Sequence, residues 1–330
     1  MNWKIPALAV TLFVLLILAL QATGVVPSEA LASIIKGSLG SPTAISRTLK
    51  ETMPLLLAGI AVFVALKAGL FNIGVEGQLL VGACAAAAVA IQIPTVFGMI
   101  LAILASMVCG AIWALPAALI KVYRGGHEVI STIMLNNIAL FLTQWVVTGP
   151  LQSKASESQT TDDIAQAARL PNILTEPYVV NVSLAAAVAL VPVLAWWMKK
   201  TIGGFELRAT GAGNKAALFA GVKTAQVQIR AMVVSGAVAG LAGSCVVLAS
   251  EGRFYPNFSP GYGFDGLGVA LLAGSSPIGL LPAAFGFGML ASGSSALSLM
   301  GIPRGVSSLL LGILIIIFAA FRYREVRNRG

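Results

Sequence analysis

Apolar runs of about 20 residues recur along almost the whole chain, each long enough to cross a bilayer core about 30 Å thick. The chain has 330 residues and is 58% hydrophobic, and only 10% of it is charged. A soluble domain carries roughly 25% charged residues. The fold class is therefore all-α, a polytopic helical membrane protein with about ten transmembrane helices. The net charge of +9 does not point to nucleic acid, because the basic residues sit in loops beside the spans, where they set orientation.

One stretch breaks the apolar pattern. Residues 67–78 read Lys-Ala-Gly-Leu-Phe-Asn-Ile-Gly-Val-Glu-Gly-Gln. Asn72, Glu76 and Gln78 are costly against lipid. Gly69, Gly74 and Gly77 are poor in a helix interior. The pattern predicts a broken helix near residues 69–77 that lines a cavity, since non-helical backbone at membrane depth is tolerated only inside protein or against water.

The remaining spans follow in order. Residues 5–26 read as a retained first helix, because no small-x-small cleavage pattern follows them. Residues 27–52 read as a short amphipathic surface segment. Pro54 suits the first turn of the second span, which runs to about Leu70. Further spans are expected over Glu76–Ile93, Thr95–Ile120, Glu128–Val147, Tyr178–Trp197 and Val227–Leu248. The uncharged stretch 266–303 fits either two spans or a re-entrant pair of half-helices. The last span covers Val306–Phe321. Gly236 and Gly240 stand in GxxxG spacing, the signature of close helix–helix contact.

Loop charge sets the orientation. Residues 150–177 carry Lys154 and Arg169 against Glu157, Asp162, Asp163 and Glu176, a net charge of −2. The region 199–230 nets +5 and the tail after Phe321 nets +3. With both termini cytoplasmic, the basic segments lie inside and 150–177 is an external loop. Arg47 and Lys50 fit this arrangement poorly. The whole chain, 1–330, is then one transmembrane domain. Cys84, Cys109 and Cys245 all lie in apolar runs without CxxC or Cys/His pairing, which fits small packing residues.

The cytoplasmic loop 198–226 contains an unusual element. Asn214 suits a helix N-cap, Gly221 suits the left-handed position after a helix end, and about two turns fit between them. Leu218 and Phe219 are apolar residues in this loop. The segment reads either as a docking element for a partner or as a helix lying on the bilayer surface.

Five blocks occur together and in order: Phe-Asn-Ile-Gly-Val-Glu-Gly-Gln (71–78), Glu-Val-Ile-Ser-Thr-Ile-Met-Leu-Asn (128–136), Leu-Arg-Ala-Thr-Gly (207–211), Ser-Gly-Ala-Val-Ala-Gly-Leu-Ala-Gly (235–243) and Gly-Tyr-Gly-Phe-Asp (261–265). In these the chain resembles the permease subunits of binding-protein-dependent ABC importers over roughly residues 50–320. The form Asn-Ile-Gly-x-Glu-Gly-Gln is similar to the nucleoside, or BMP-type, branch of the ribose and branched-chain amino acid permease group.

The resemblance implies a permease subunit for nucleosides, purine nucleosides such as guanosine among them, in a bacterial cell membrane. It also implies an ABC ATPase subunit, a second and distinct permease, and an extracytoplasmic substrate-binding lipoprotein. It tips residues 203–222 toward a coupling element, with Arg208, Asn214, Leu218 and Phe219 facing the ATPase. The chain has no GxxxxGK[ST] phosphate loop. It is expected to be no enzyme and to bind no cofactor, with ATP used by the partner.

For a nucleoside, Phe71 suits stacking on the base. Asn72, Glu76, Gln78, Asn136 and Asn137 suit hydrogen bonds to base edge or ribose. Each has a structural alternative: helix packing for Phe71, interhelical hydrogen bonds for Asn136 and Asn137, and an ion pair with Lys67 for Glu76. His127 and Glu128 read as solvated or helix-capping residues. A sugar or branched-chain amino acid importer is the nearest competing reading. An ion-coupled secondary transporter is more remote, having only Lys67 and Glu76 as candidate charges. An intramembrane enzyme lacks a nucleophile–base pair.

Overall fold

A computed structural model describes residues 27–154, 158–175 and 178–299. The helices in chain order are α1 (Pro27–Leu39), α2 (Pro42–Lys67), α3 (Val75–Gln92), α4 (Val96–Arg124), α5 (Glu128–Thr148), α6 (Val182–Lys200), α7 (Ile202–Ala212), α8 (Asn214–Phe219), α9 (Thr224–Val246), α10 (Tyr262–Ala273) and α11 (Leu280–Leu299). A two-stranded antiparallel ribbon pairs β1 (Asn172–Leu174) with β2 (Val180–Asn181). Among the described residues, seven helices are long and apolar enough to cross a membrane: α2 to α6, α9 with the turn that follows it, and α11 with the turn before it. The fold class is thus the helical polytopic one expected. The first and last predicted spans, 5–26 and 306–321, lie outside the described residues.

Three expectations need correction. The second span starts at Pro42, not Pro54, and Pro54 lies inside the helix. Ser41 Oγ accepts from the Ala44 N–H at 3.1 Å, and Pro42 takes the first-turn position where its missing N–H costs nothing. Residues 27–39 form a helix of their own. As far as the described residues reach, to 299, the uncharged stretch is neither two full spans nor two half-helices. It is a 12-residue helix, a short turn at Pro277–Gly279 and the 20-residue α11.

Two compact units divide the chain. In the larger (53–174, 180–284), α2, α3 and α9 are largely buried, while α4, α5 and α6 turn most of their apolar side chains outward. The helices α3, α4 and α9 meet through small residues. A methyl placed on Gly240 would lie 2.1 Å from the Ser106 carbonyl oxygen, and one on Gly243 would lie 2.2 Å from that of Leu79. Such backbone approach maximises dispersion contact where lipid offers no hydrophobic drive, and it matches the GxxxG reading.

In the smaller unit (27–52, 175, 178–179 and 285–299 of the described residues), Thr48 Oγ1 donates to the Ser38 carbonyl at 2.8 Å, and the Val179 N–H donates to Ser46 Oγ at 3.0 Å.

Candidate functional site

The predicted break is present. Helix α2 ends at Lys67, and the next helical residue is Val75. The end is a left-handed cap: Gly69 has φ +77°, Leu70 N–H bonds the Ala65 carbonyl and Gly69 N–H bonds that of Leu66, both at 3.0 Å. Only a residue without Cβ adopts that φ at no steric cost.

The non-helical backbone is satisfied by side chains. Asn72 is fully buried. Its Nδ2 donates to Gln78 Oε1 at 3.0 Å and to Ser235 Oγ at 2.8 Å. Its Oδ1 accepts from the Gly74 N–H at 3.0 Å and from Gln78 Nε2 at 3.2 Å. Ser235 passes the network on, its hydroxyl donating to the Ala61 carbonyl at 2.6 Å. Asn136, on α5, spans the break from the other side. Its Nδ2 donates to the Ile73 carbonyl and its Oδ1 accepts from the Gly77 N–H, both at 2.9 Å. Unmade hydrogen bonds are expensive at this depth, and these amides supply the partners that a helix would have supplied.

Lys67 and Glu76 both turn to α10. Glu76 Oε2 accepts from the Gly263 N–H at 2.7 Å, in the first turn of α10. Lys67 Nζ donates to the Gly274 carbonyl at 3.1 Å, at the other end of that helix, and lies 4.8 Å from the centre of the Phe63 ring.

The structure therefore brings Asn72, Glu76, Gln78 and Asn136 together as the framework of the break. Phe71 is 41% exposed. Asn137 faces outward from α5, its Nδ2 bonded to the Ile133 carbonyl, and Gln144 lies outward two turns on. Ser235, the Gly263 N–H and the Gly274 carbonyl were not singled out in the sequence. Ser235 was visible there only as one small residue among several.

In the loop 198–226, Gly221 has φ +86° as expected, while Gly213 rather than Asn214 occupies the cap position of α8. Leu218 is 60% and Phe219 92% exposed. Helix α7 was not anticipated. Thr201 caps it, accepting from the Gly204 N–H at 3.1 Å, and the exposed Arg208 donates to the Gly204 carbonyl. Leu207 of α7 and Ala217 of α8 share a buried cluster with Ala68 of the break. An open cleft of about 280 Å³ between α7 and the start of α9 is lined by Glu206, Gly221, Lys223, Gln226, Val227 and Arg230.

Near the membrane edges, Lys121 pairs with Glu128 at 2.8 Å. Arg253 pairs with Asp163 at 3.2 Å, joining the segment after α9 to the loop before β1. Tyr255 donates to Glu251 at 2.9 Å, and burial, together with that carboxylate, pushes the phenol up to about 12. Among the described residues no cluster of three or more His, Cys, Asp or Glu is arranged to hold a metal ion.

The family of permease components of branched-chain amino acid transport systems matches residues 44–319. The chain is 34% identical over 322 residues to the glucose ABC transporter permease protein of Haloferax volcanii, covering 93% of this chain and 85% of that one. It is 32% identical over 327 residues to the nucleoside ABC transporter permease protein of Lactococcus lactis subsp. cremoris (96% and 90% covered). It is 33% identical over 314 residues to the guanosine ABC transporter permease protein of Bacillus subtilis (93% and 89%). No solved structure matches the chain.

Proposed function

This chain belongs to the family of permease components of branched-chain amino acid transport systems, and we propose that it is the multi-pass permease subunit of an ATP-driven importer of nucleosides. The observation that carries the reading is the similarity, over more than nine-tenths of the chain, to two permeases named for nucleosides and guanosine.

The hydrolysis of ATP falls to a partner ATPase, which docks on α7–α8 from the cytoplasmic side. Phe219 and Leu218 are the apolar knobs, with Arg208 and Asn214 as polar neighbours. An extracytoplasmic binding protein delivers the substrate. Alternating access follows from rocking of the spans around the break. Phe71 offers the base an open aromatic face. Asn72, Glu76, Gln78 and Asn136 act on the substrate through the backbone they hold, since their hydrogen-bonding groups are engaged inside the protein. Amides facing lipid are costly, and the outward Asn137 and Gln144 support a second permease subunit, with the path between the two, on this face of α5.

A second reading, import of glucose, is favoured by the 34% identity to a glucose permease. Uptake of labelled guanosine separates the two, measured in cells lacking the gene and again after its restoration. Rescue competed by unlabelled nucleosides but not by glucose, ribose or leucine is the expected outcome. Rescue competed by glucose alone overturns the nucleoside assignment and leaves the importer.

A further inference from the structure

Helix α10 is too short to span a bilayer: its 12 residues rise about 18 Å, against a core of about 30 Å. Both ends of such a helix leave N–H and C=O groups without intrahelical partners, and at membrane depth protein must supply them. Here one partner at each end comes from one short segment, Lys67 to Glu76.

At the N-terminus of α10, the Gly263 N–H is taken by Glu76 Oε2 at 2.7 Å, and the Gly261 and Tyr262 N–H groups by Ser259 Oγ at 3.2 and 3.3 Å. At the C-terminus, the Gly274 carbonyl is taken by Lys67 Nζ at 3.1 Å. An acidic side chain stands at the positive end of the helix dipole and a basic one at the negative end. Between these ends α10 lies on α2 without a gap. A methyl on Gly266 would sit 2.6 Å from Ala58 Cβ, and one on Gly59 would sit 2.6 Å from Val269 Cγ1.

The same Lys67 meets the end of α7. A methyl on Gly211 would lie 2.2 Å from the Lys67 carbonyl oxygen and 3.2 Å from the Gly69 nitrogen. Ala68 is buried with Leu207 and Ala217. The segment that carries the exposed Phe219 therefore bears directly on the residue that holds the far end of α10.

We propose that Lys67 and Glu76 are positioning residues that hold α10 by both ends as a strut, and that the Gly211–Lys67 backbone contact delivers displacement of α7–α8 to that strut. The direction of drive rests on the reading of α7–α8 as the ATPase-docking segment. The bracket around α10 does not.

The test uses the full chain, with its three cysteines replaced by serine and a thiol introduced by Phe264→Cys, a position 49% exposed on α10. The thiol is labelled by a maleimide in two settings: the chain alone in detergent, and the assembled transporter with and without a non-hydrolysable ATP analogue. In the chain alone, Lys67→Met and Glu76→Ala are expected to change the labelling rate at least about fivefold. Lys67→Arg and Glu76→Gln, which keep a donor and an acceptor, are expected to restore it to within about twofold.

In the assembled transporter, the analogue is expected to change the labelling rate, and Gly211→Val to abolish that change. Uptake should then fall at least about tenfold. Unchanged labelling in Lys67→Met and Glu76→Ala overturns the bracket. A nucleotide response that survives in Gly211→Val overturns the delivery. If instead Phe219→Ala leaves ATPase binding intact, the docking reading fails and delivery from α7–α8 fails with it. The isolated-chain result then decides the bracket alone.

Discussion

The break at 68–74 and the segment α7–α8 are both polar, glycine-rich interruptions between apolar spans, and they solve opposite problems. In the break, polar side chains point inward. Asn72 is fully buried, and the hydrogen bonds of its amide end inside the protein. In α7–α8, apolar side chains point outward, with Phe219 at 92% and Leu218 at 60% exposure. Glycine and polar content alone do not distinguish these roles; the direction of the side chains does. A segment that must hold irregular backbone inside a membrane turns its amides onto its own peptide groups. Under the docking proposed above, a segment grasped by another protein leaves its apolar groups uncovered. The two meet at Ala68, packed with Leu207 and Ala217.

The largest effect is expected at Asn72. Asn72→Leu orphans the Gly74 N–H and both polar atoms of Gln78, which should cost roughly 3–9 kcal/mol, at about 1–3 kcal/mol for each unsatisfied buried group. Thermal unfolding in detergent measures this. A loss under about 1 kcal/mol would mean that the break is wet and the contrast with α7–α8 is false.

Asn136→Leu removes partners from the Ile73 carbonyl and the Gly77 N–H and should cost roughly 2–6 kcal/mol. Combined with Asn72→Leu it should cost less than the sum, because both side chains hold the same eight or so residues of backbone. Additivity would separate the two amides into independent supports.

How much of this could be read beforehand differs between the regions. The break was legible from its residues, because Asn72, Glu76 and Gln78 have no place in a lipid-facing helix and glycines mark where one stops. The partners were not legible. Ser235 lies 163 positions from Asn72, and the Gly263 N–H lies 187 positions from Glu76. No local pattern encodes a peptide group as the destination of a carboxyl. Lys67 and Glu76 invited pairing with each other by proximity in sequence, whereas each satisfies one end of α10. Helix α7 was missed for a related reason. Gly203, Gly204 and Gly211 lower its intrinsic propensity, but the Thr201 cap and the burial of Leu207 offset the loss. Pro54 misled in the same way, since the buried run Leu55–Leu57 and Ile60 holds α2 helical through it.

Gly221→Ala sharpens the other side of the comparison. Its φ is +86° and no atom would meet the added methyl within 4 Å, so the cost is backbone strain alone, about 1–2 kcal/mol. Chemical denaturation of the purified chain should show that loss. A larger one would mean that the turn after α8 is packed rather than open.

The smallest expected stability effect belongs to Phe219→Ala. A side chain 92% exposed contributes little to the fold, so the change in unfolding free energy should stay within about 0.5 kcal/mol. The same substitution should abolish co-purification of the ATPase subunit and the uptake that depends on it. Asn72→Leu should do the reverse, lowering stability while the fraction that stays folded still co-purifies with the ATPase subunit. If Phe219→Ala destabilised the chain as Asn72→Leu does, its ring would be buried in the assembled membrane protein, and α8 would be a surface helix lying in lipid. If it altered neither stability nor ATPase binding, the docking surface would lie outside α7–α8, and the exposure of Phe219 and Leu218 would need another occupant.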